Sequence, residues 1–234
     1  MTALDTLLGR LDWVAIRLQL DAEGYCLLPG LLGTAVARGL AQQISAPGGS
    51  RVALESTGLG RGELLYFEAG LPAPLEQWRT ALYRRLAIIA NQWNEVLGVD
   101  HRYPAQLEDF LQRNRNAGQA RAQSHLSRLG VEGHVLLHPR DDGEQVFPMQ
   151  VVAVLSEPGV DFHGGECVMT EQRPRMQSRP AVLPLKLGDM AVIATLQRPI
   201  KGSQGYYTAN LKHAISRVRK GERIGLELSF HGAS

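Results

Sequence analysis

Polar and apolar positions along the chain change their rhythm near Gly118. Before it the repeat is helical. Asp12 can cap a helix from Trp13 to about Asp21, with Trp13, Ile16 and Leu20 on one stripe and Gly24 ending it. Tyr25 to Leu28 reads as a short strand stopped by Pro29 and Gly30, and Thr34 can cap a second helix to about Ile44. Ser45 to Ser50 reads as a loop. After Pro72 and Pro74, Trp78, Leu82, Leu86, Ile89, Trp93 and Leu97 recur at spacings of three and four, which predicts a long amphipathic helix closed by Gly98. Another helix is expected over Gln106 to Asn114.

From Gln123 onward, short β-type runs alternate with Gly, Pro and Asp. The predicted strands are His125–Leu129, His134–His138, Val146–Leu155, Glu166–Glu171, Val182–Leu185, Met190–Thr195, Ala209–Ile215 and Arg223–Phe230. Many short strands with turn signals between them indicate a sandwich or barrel, and this set suits a jelly roll. We expect one domain over residues 1–234, in which a mostly helical region, 1–118, supports a β core, 119–234.

Composition narrows the function classes only a little. The 234 residues are 44% hydrophobic, enough for a sizeable core, and 25 basic side chains against 23 acidic ones leave a net charge of +2. That balance gives no general pull toward nucleic acid, membranes or acidic polymers. Cys26 and Cys167 stand far apart in apolar contexts and read as buried thiols. Residues 1–10 lack the pattern of a signal peptide, and no apolar run is long enough to span a membrane, so a soluble cytoplasmic protein is expected. Arg173, Arg175 and Arg179, with Arg113, Arg115 and Arg121, form basic stretches that read better as solvated ion-pairing loops than as a nucleic-acid surface.

The chemistry lies in the second half. His213 falls in the predicted strand Ala209–Ile215, and Arg223 follows ten residues later, after the turn Lys220–Glu222. Two adjacent strands bring the ends of that spacing to one barrel interior, and a guanidinium fork suits a carboxylate. The block from His213 to Arg223, the Gly164–Glu166 turn and the Gly188–Asp189 turn together resemble the iron(II)/2-oxoglutarate-dependent oxygenases of the prolyl-hydroxylase type. The segments Glu144–Gln150, Leu155–Pro158, Thr170–Arg179 and Gly202–Tyr207 are similar to a bacterial subfamily, some of whose members are labelled as oxidatively dealkylating damaged DNA. The resemblance runs from about Leu11 to Phe230.

That resemblance implies a double-stranded β-helix buttressed by α-helices, with iron(II) and 2-oxoglutarate as cofactors. It implies His138 and His213 as metal ligands and Arg223 as the residue that holds 2-oxoglutarate. The subfamily reads His-Gln-Asp where this chain has His138, Pro139 and Arg140, so Arg140 stands at the carboxylate position. A guanidinium 4 Å from a dication would be repelled by roughly 8 kcal/mol at an effective dielectric near 20. Three readings stay open: Asp141 or Asp142 supplies the carboxylate, the two His side chains hold iron with waters, or no catalytic iron binds. Leu129, His134 and Gly225 replace polar residues of the relatives around the same cavity. The function expected is oxidation of a small molecule or modified base. The alternative is a non-catalytic anion-binding or regulatory protein on the same barrel.

Overall fold

The computed structural model describes residues 3–45, 49–140 and 142–234. Its helices are α1 (Ala3–Gly9), α2 (Trp13–Glu23), α3 (Thr34–Gln43), α4 (Leu54–Thr57), α5 (Ala73–Val96) and α6 (Leu107–Asn116). The first strands are β1 (Tyr25–Leu28), β2 (Ser50–Ala53), β3 (Gly60–Arg61), β4 (Glu63–Tyr66), β5 (His125–Leu129), β6 (His134–His138) and β7 (Met149–Val154). The rest are β8 (Phe162–Gly164), β9 (Cys167–Gln172), β10 (Arg179–Leu183), β11 (Met190–Ala194), β12 (Gln197–Gly202), β13 (Gly205–Ile215), β14 (Val218–Gly221) and β15 (Arg223–Leu228).

Two antiparallel sheets form the core. The larger runs β1-β11-β7-β15-β5-β4-β2, and the smaller runs β10-β9-β13-β6-β3, with β12 beside β13. Each of the eight segments read as strands after Gln123 overlaps one, although β10 begins three residues before Val182 and β13 four residues before Ala209. The helical region also supplies β1, β2, β3 and β4, so its character is more mixed than the expectation for 1–118. Strands β2 to β4 are short and broken by Gly58, Gly60 and Gly62, all at positive φ, which hides their alternation.

Strands β7 and β11 are buried at every residue, so both faces of the larger sheet are covered. Helix α5 buries Trp78, Leu82, Leu86, Ile89 and Trp93 of the stripe seen in the sequence, together with Leu75, whereas Leu97 follows the helix end and is half-buried. Its Tyr83 ring packs 5.1 Å from Phe147 and 5.8 Å from Phe110, joining helix and sheet in an aromatic cluster. The hydrophobic core runs without a break from Leu8 to Phe230.

The helix ends follow local chemistry. Asp12 Oδ1 accepts from the N–H groups of Val14 and Ala15, and Gly24 closes α2 in the left-handed region at φ 75°. Beyond that end, buried Arg198 donates to the carbonyls of Asp21 and Ala22 and pairs with Glu171. Thr34 does not cap α3. Gly33 takes that place at φ 78°, without a side-chain bond, and the N–H groups of Leu32 and Gly33 donate to Gly188 of the Gly-Asp turn. A Cβ on Gly188 would fall 2.8 Å from the Gly33 carbonyl carbon, so the close approach needs glycine. The expected loop Ser45–Ser50 falls partly outside the described residues, and Ser50 begins β2.

Candidate metal and cosubstrate site

Strand parity builds the site. On β15, Arg223, Gly225 and Glu227 alternate onto one face. Leu129, Ser127 and His125 of β5 lie directly opposite them in register, so they share that face. On the other side of β15, Val154 and Val152 of β7 lie opposite Gly225 and Glu227, and Gln150 continues their row. The smaller sheet contributes His213 of β13, which is paired with His138 of β6 and Met169 of β9. His213↔His138 and Ile215↔Val135 differ in spacing by one residue, so β6 carries a bulge. The bulge lets Val135 and His138 both turn inward.

His138 and His213 are both buried, with ring centroids 4.3 Å apart. His138 Nδ1 faces the Leu136 carbonyl at 2.9 Å, and the tautomer that donates there leaves the Nε2 lone pair free. Burial, and then the neighbouring His213, push the His138 pKa down to about 4, so the ring is neutral at pH 7. His213 Nε2 is 3.0 Å from Gln150 Nε2 and 3.6 Å from Glu227 Oε2, while its Nδ1 is buried without a partner.

Glu227 was not singled out from the sequence. One ligand atom each from His138, His213 and Glu227 lie within 4.8 Å of one another. Burial is the largest influence on Glu227 and would raise its pKa, but Arg140, His125 and His213 together outweigh it and hold the carboxyl well below its ordinary range. Arg140 is the mirror case, because burial would lower its pKa but Glu227 holds the guanidinium charged. Arg140 Nη2 is 2.7 Å from Glu227 Oε2, and Nη1 donates to Gln123 Oε1 at 3.1 Å. His125 also meets this carboxylate, with Nε2 at 3.9 Å.

Arg223 is buried on the same face, and burial lowers its pKa, with Cys167, Glu227 and Glu166 only partly offsetting the loss. Its Nε has no hydrogen-bond partner. Gly225 makes room for it, since a Cβ there would lie 2.5 Å from Arg223 Nη1 and 2.9 Å from Ser127 Oγ. Leu129 is fully buried opposite Arg223. A cavity of about 380 Å³ opens next to this end of the site, bounded by Val154, Phe162, Gly165, Cys167 and Leu183. Another, of about 520 Å³, is lined by Tyr66, Gln123, Arg121 and His231, and its wall residue Gln123 accepts the hydrogen bond from Arg140.

Other candidates from the sequence fall elsewhere. Asp141 lies outside the described residues. Asp142 is exposed, and its Oδ2 accepts from Gln123 at 3.4 Å. His134 pairs with Arg61 at the β3 edge, and its Nδ1 faces the Glu132 carbonyl at 3.0 Å. Arg173, Arg179 and Arg115 form ion pairs with Glu171, Glu23 and Glu108. Both cysteines are free and buried. Among the described residues, no helix is long and apolar enough to cross a membrane.

The residues present fit the two groups that the resemblance implies. Two imidazoles and a carboxylate are the donor set suited to ferrous iron. A buried guanidinium with an unpartnered Nε beside glycine suits a dicarboxylic acid.

Comparison with known proteins places the chain. The crystal structure of a Pseudomonas putida prolyl-4-hydroxylase aligns with TM-score 0.55 and 14% identity, covering 95% of this chain and 99% of that one. A Burkholderia pseudomallei oxidoreductase of the 2OG-Fe(II) oxygenase family aligns with TM-score 0.54 and 18% identity, covering 96% and 94%. The fold is therefore a double-stranded β-helix, as in these two proteins. Within it, residues 62–233 match the family model Oxygenase-NA, described as an oxygenase catalysing oxidative methylation of damaged DNA, and the chain belongs to that family. An uncharacterized Mycobacterium tuberculosis protein is 38% identical over 168 residues, covering 72% of each chain. The same relation holds in two strains of that organism.

Proposed function

We propose that this protein is an iron(II)- and 2-oxoglutarate-dependent oxygenase that oxidises a small molecule or modified base by hydroxylation or oxidative dealkylation. The observation that carries the proposal is the convergence of two buried, adjacent imidazoles with a buried guanidinium on facing sheets of one barrel. His138 and His213 would hold iron(II), and Arg223 would hold the far carboxylate of 2-oxoglutarate. Bound iron would supply oxidation driven by oxygen and coupled to decarboxylation of 2-oxoglutarate.

The chain's own residues prepare the site. The Leu136 carbonyl orients the His138 ring and directs the Nε2 lone pair inward. Leu129, Val152 and Val154 line the cosubstrate side with apolar groups, which strengthens the Arg223–carboxylate attraction by excluding water. The cavity of about 520 Å³ beside Gln123 has the volume for a nucleobase-sized substrate. The family description supports a nucleic-acid base as one substrate class, whereas the modest net charge supports a free small molecule.

The test is turnover. Purified protein with iron(II), ascorbate and 2-oxoglutarate is expected to form succinate under air, and His138→Ala and Arg223→Leu are expected to abolish it. Equal succinate from wild type and both variants would refute the assignment.

A further inference from the structure

We propose that Glu227 is the metal-binding carboxylate of this chain, relocated from the segment after β6 to the middle of β15, with Arg140 as the residue that positions it. The inference rests on the reading that His138 and His213 hold a divalent metal.

Four observations carry it. First, Glu227 offers its oxygen to the same point as the two imidazoles, and among the described residues this is the one cluster of three such donors. Ligand bonds of about 2.1 Å need donor atoms roughly 3 Å apart, so these donors, within 4.8 Å of one another, would close in around a bound ion. Second, Glu227 is fixed by strand register. It lies four residues from Arg223 on the same face of β15 and opposite His125, so rotamer choice alone cannot turn it outward. The two-residue alternation also sets the cosubstrate guanidinium and the carboxylate in one row, with Gly225 between them.

Third, Arg140 is held at the site. Its backbone N–H donates to Thr195 O at 3.0 Å, and its guanidinium is held by Gln123 and Glu227. A guanidinium there would repel a dication unless an anion stood between them, and Glu227 is that anion. The change to Arg140 and the acid at Glu227 therefore compensate each other. The same oxygen, Glu227 Oε2, meets Arg140 Nη2 at 2.7 Å and His213 Nε2 at 3.6 Å, and a carboxylate has lone pairs and a second oxygen to serve both a guanidinium and a metal. Fourth, Asp142 turns its carboxylate toward Gln123 and stands exposed.

The test titrates cobalt(II) alone into metal-free protein and follows its visible absorption, with no substrate or turnover. Wild type is expected to bind and His138→Ala to lose binding. Glu227→Gln is expected to weaken affinity roughly 100-fold or more, while Asp141→Asn and Asp142→Asn stay within about twofold. Should Glu227→Gln fail to fold, as judged by circular dichroism, Arg140→Gln with Glu227→Gln removes both charges together and is expected to show the same loss. Arg140→Asp with Glu227→Gln moves the acid back and is expected to restore binding. If binding depends on His138 but the neutral Glu227 variants bind like wild type, the relocation is wrong and the two-histidine reading survives. If wild type takes up no cobalt while Arg140→Asp with Glu227→Gln does, Arg140 closes the site and both readings fall.

Discussion

Arg140 Nη2 lies 2.7 Å from Glu227 Oε2, a buried ion pair joining the segment after β6 to the centre of the larger sheet. It binds a residue whose charge is wrong for a metal site to an acid whose position is right for one. The energetic and chemical consequences of that pair can be separated by experiment.

Removing one partner should be much worse than removing both. Glu227→Gln leaves a buried guanidinium uncompensated, with an expected loss of about 3–5 kcal/mol. Arg140→Met with Glu227→Leu should recover most of this, because an apolar replacement of a buried pair is often neutral or better. A double-mutant cycle by urea unfolding of metal-free protein checks it. Additive losses from the two single changes would contradict the coupling.

Arg223 should trade stability for binding. It is buried, its Nε is unpartnered, and burial dominates its pKa shift. Arg223→Leu is expected to stabilise the metal-free protein by about 1–3 kcal/mol while removing 2-oxoglutarate binding. Thermal unfolding and calorimetric titration of 2-oxoglutarate report the two effects. Destabilisation with binding retained would contradict the assignment.

Gly225 should act through space. A side chain there would fall 2.5 Å from Arg223 Nη1. Gly225→Ser is expected to weaken 2-oxoglutarate binding about tenfold and to cost about 1–3 kcal/mol of stability, with cobalt affinity unchanged. Cosubstrate and cobalt titrations on the same sample distinguish this from general misfolding.

The sequence made some of this site legible and hid the rest. His138, His213 and Arg223 stood out because type and spacing together formed a family pattern. Glu227 carried a usable signal, since it lies inside the predicted strand Arg223–Phe230 and shares parity with Arg223. The family pattern does not point to it, because that pattern places the acid next to His138. Neither acid after His138 carries the strand pattern, because β6 ends at His138 and Asp142 is exposed beyond it. The long helix was readable because its stripe, Trp78 to Leu97, repeats over about five turns. Strand β12 was not, because Arg198 and Pro199 sit in it, and Arg198 is buried only through Glu171 and helix α2.

Acid should loosen the fold through His231. Its Nδ1 accepts from the Phe147 N–H at 3.2 Å, which requires a neutral ring. Burial, and then Arg140, lower its pKa from 6.5 to about 4. Between those values the unfolded chain binds the proton and the folded one does not. The contribution is therefore whole above pH 6.5 and is lost as pH falls through 4, by roughly 3 kcal/mol. His231→Asn keeps an acceptor and should flatten the slope of stability against pH in that window. Urea midpoints at several pH values check it, and an unchanged slope would contradict it.

The central claim is that this cavity takes up iron(II) and 2-oxoglutarate together. Anaerobic addition of both to the purified protein, followed by visible spectroscopy, tests it most directly. A charge-transfer band that saturates with 2-oxoglutarate and disappears in His138→Ala and Arg223→Leu is the predicted result. A wild-type protein that shows no band and no calorimetric binding of 2-oxoglutarate contradicts it.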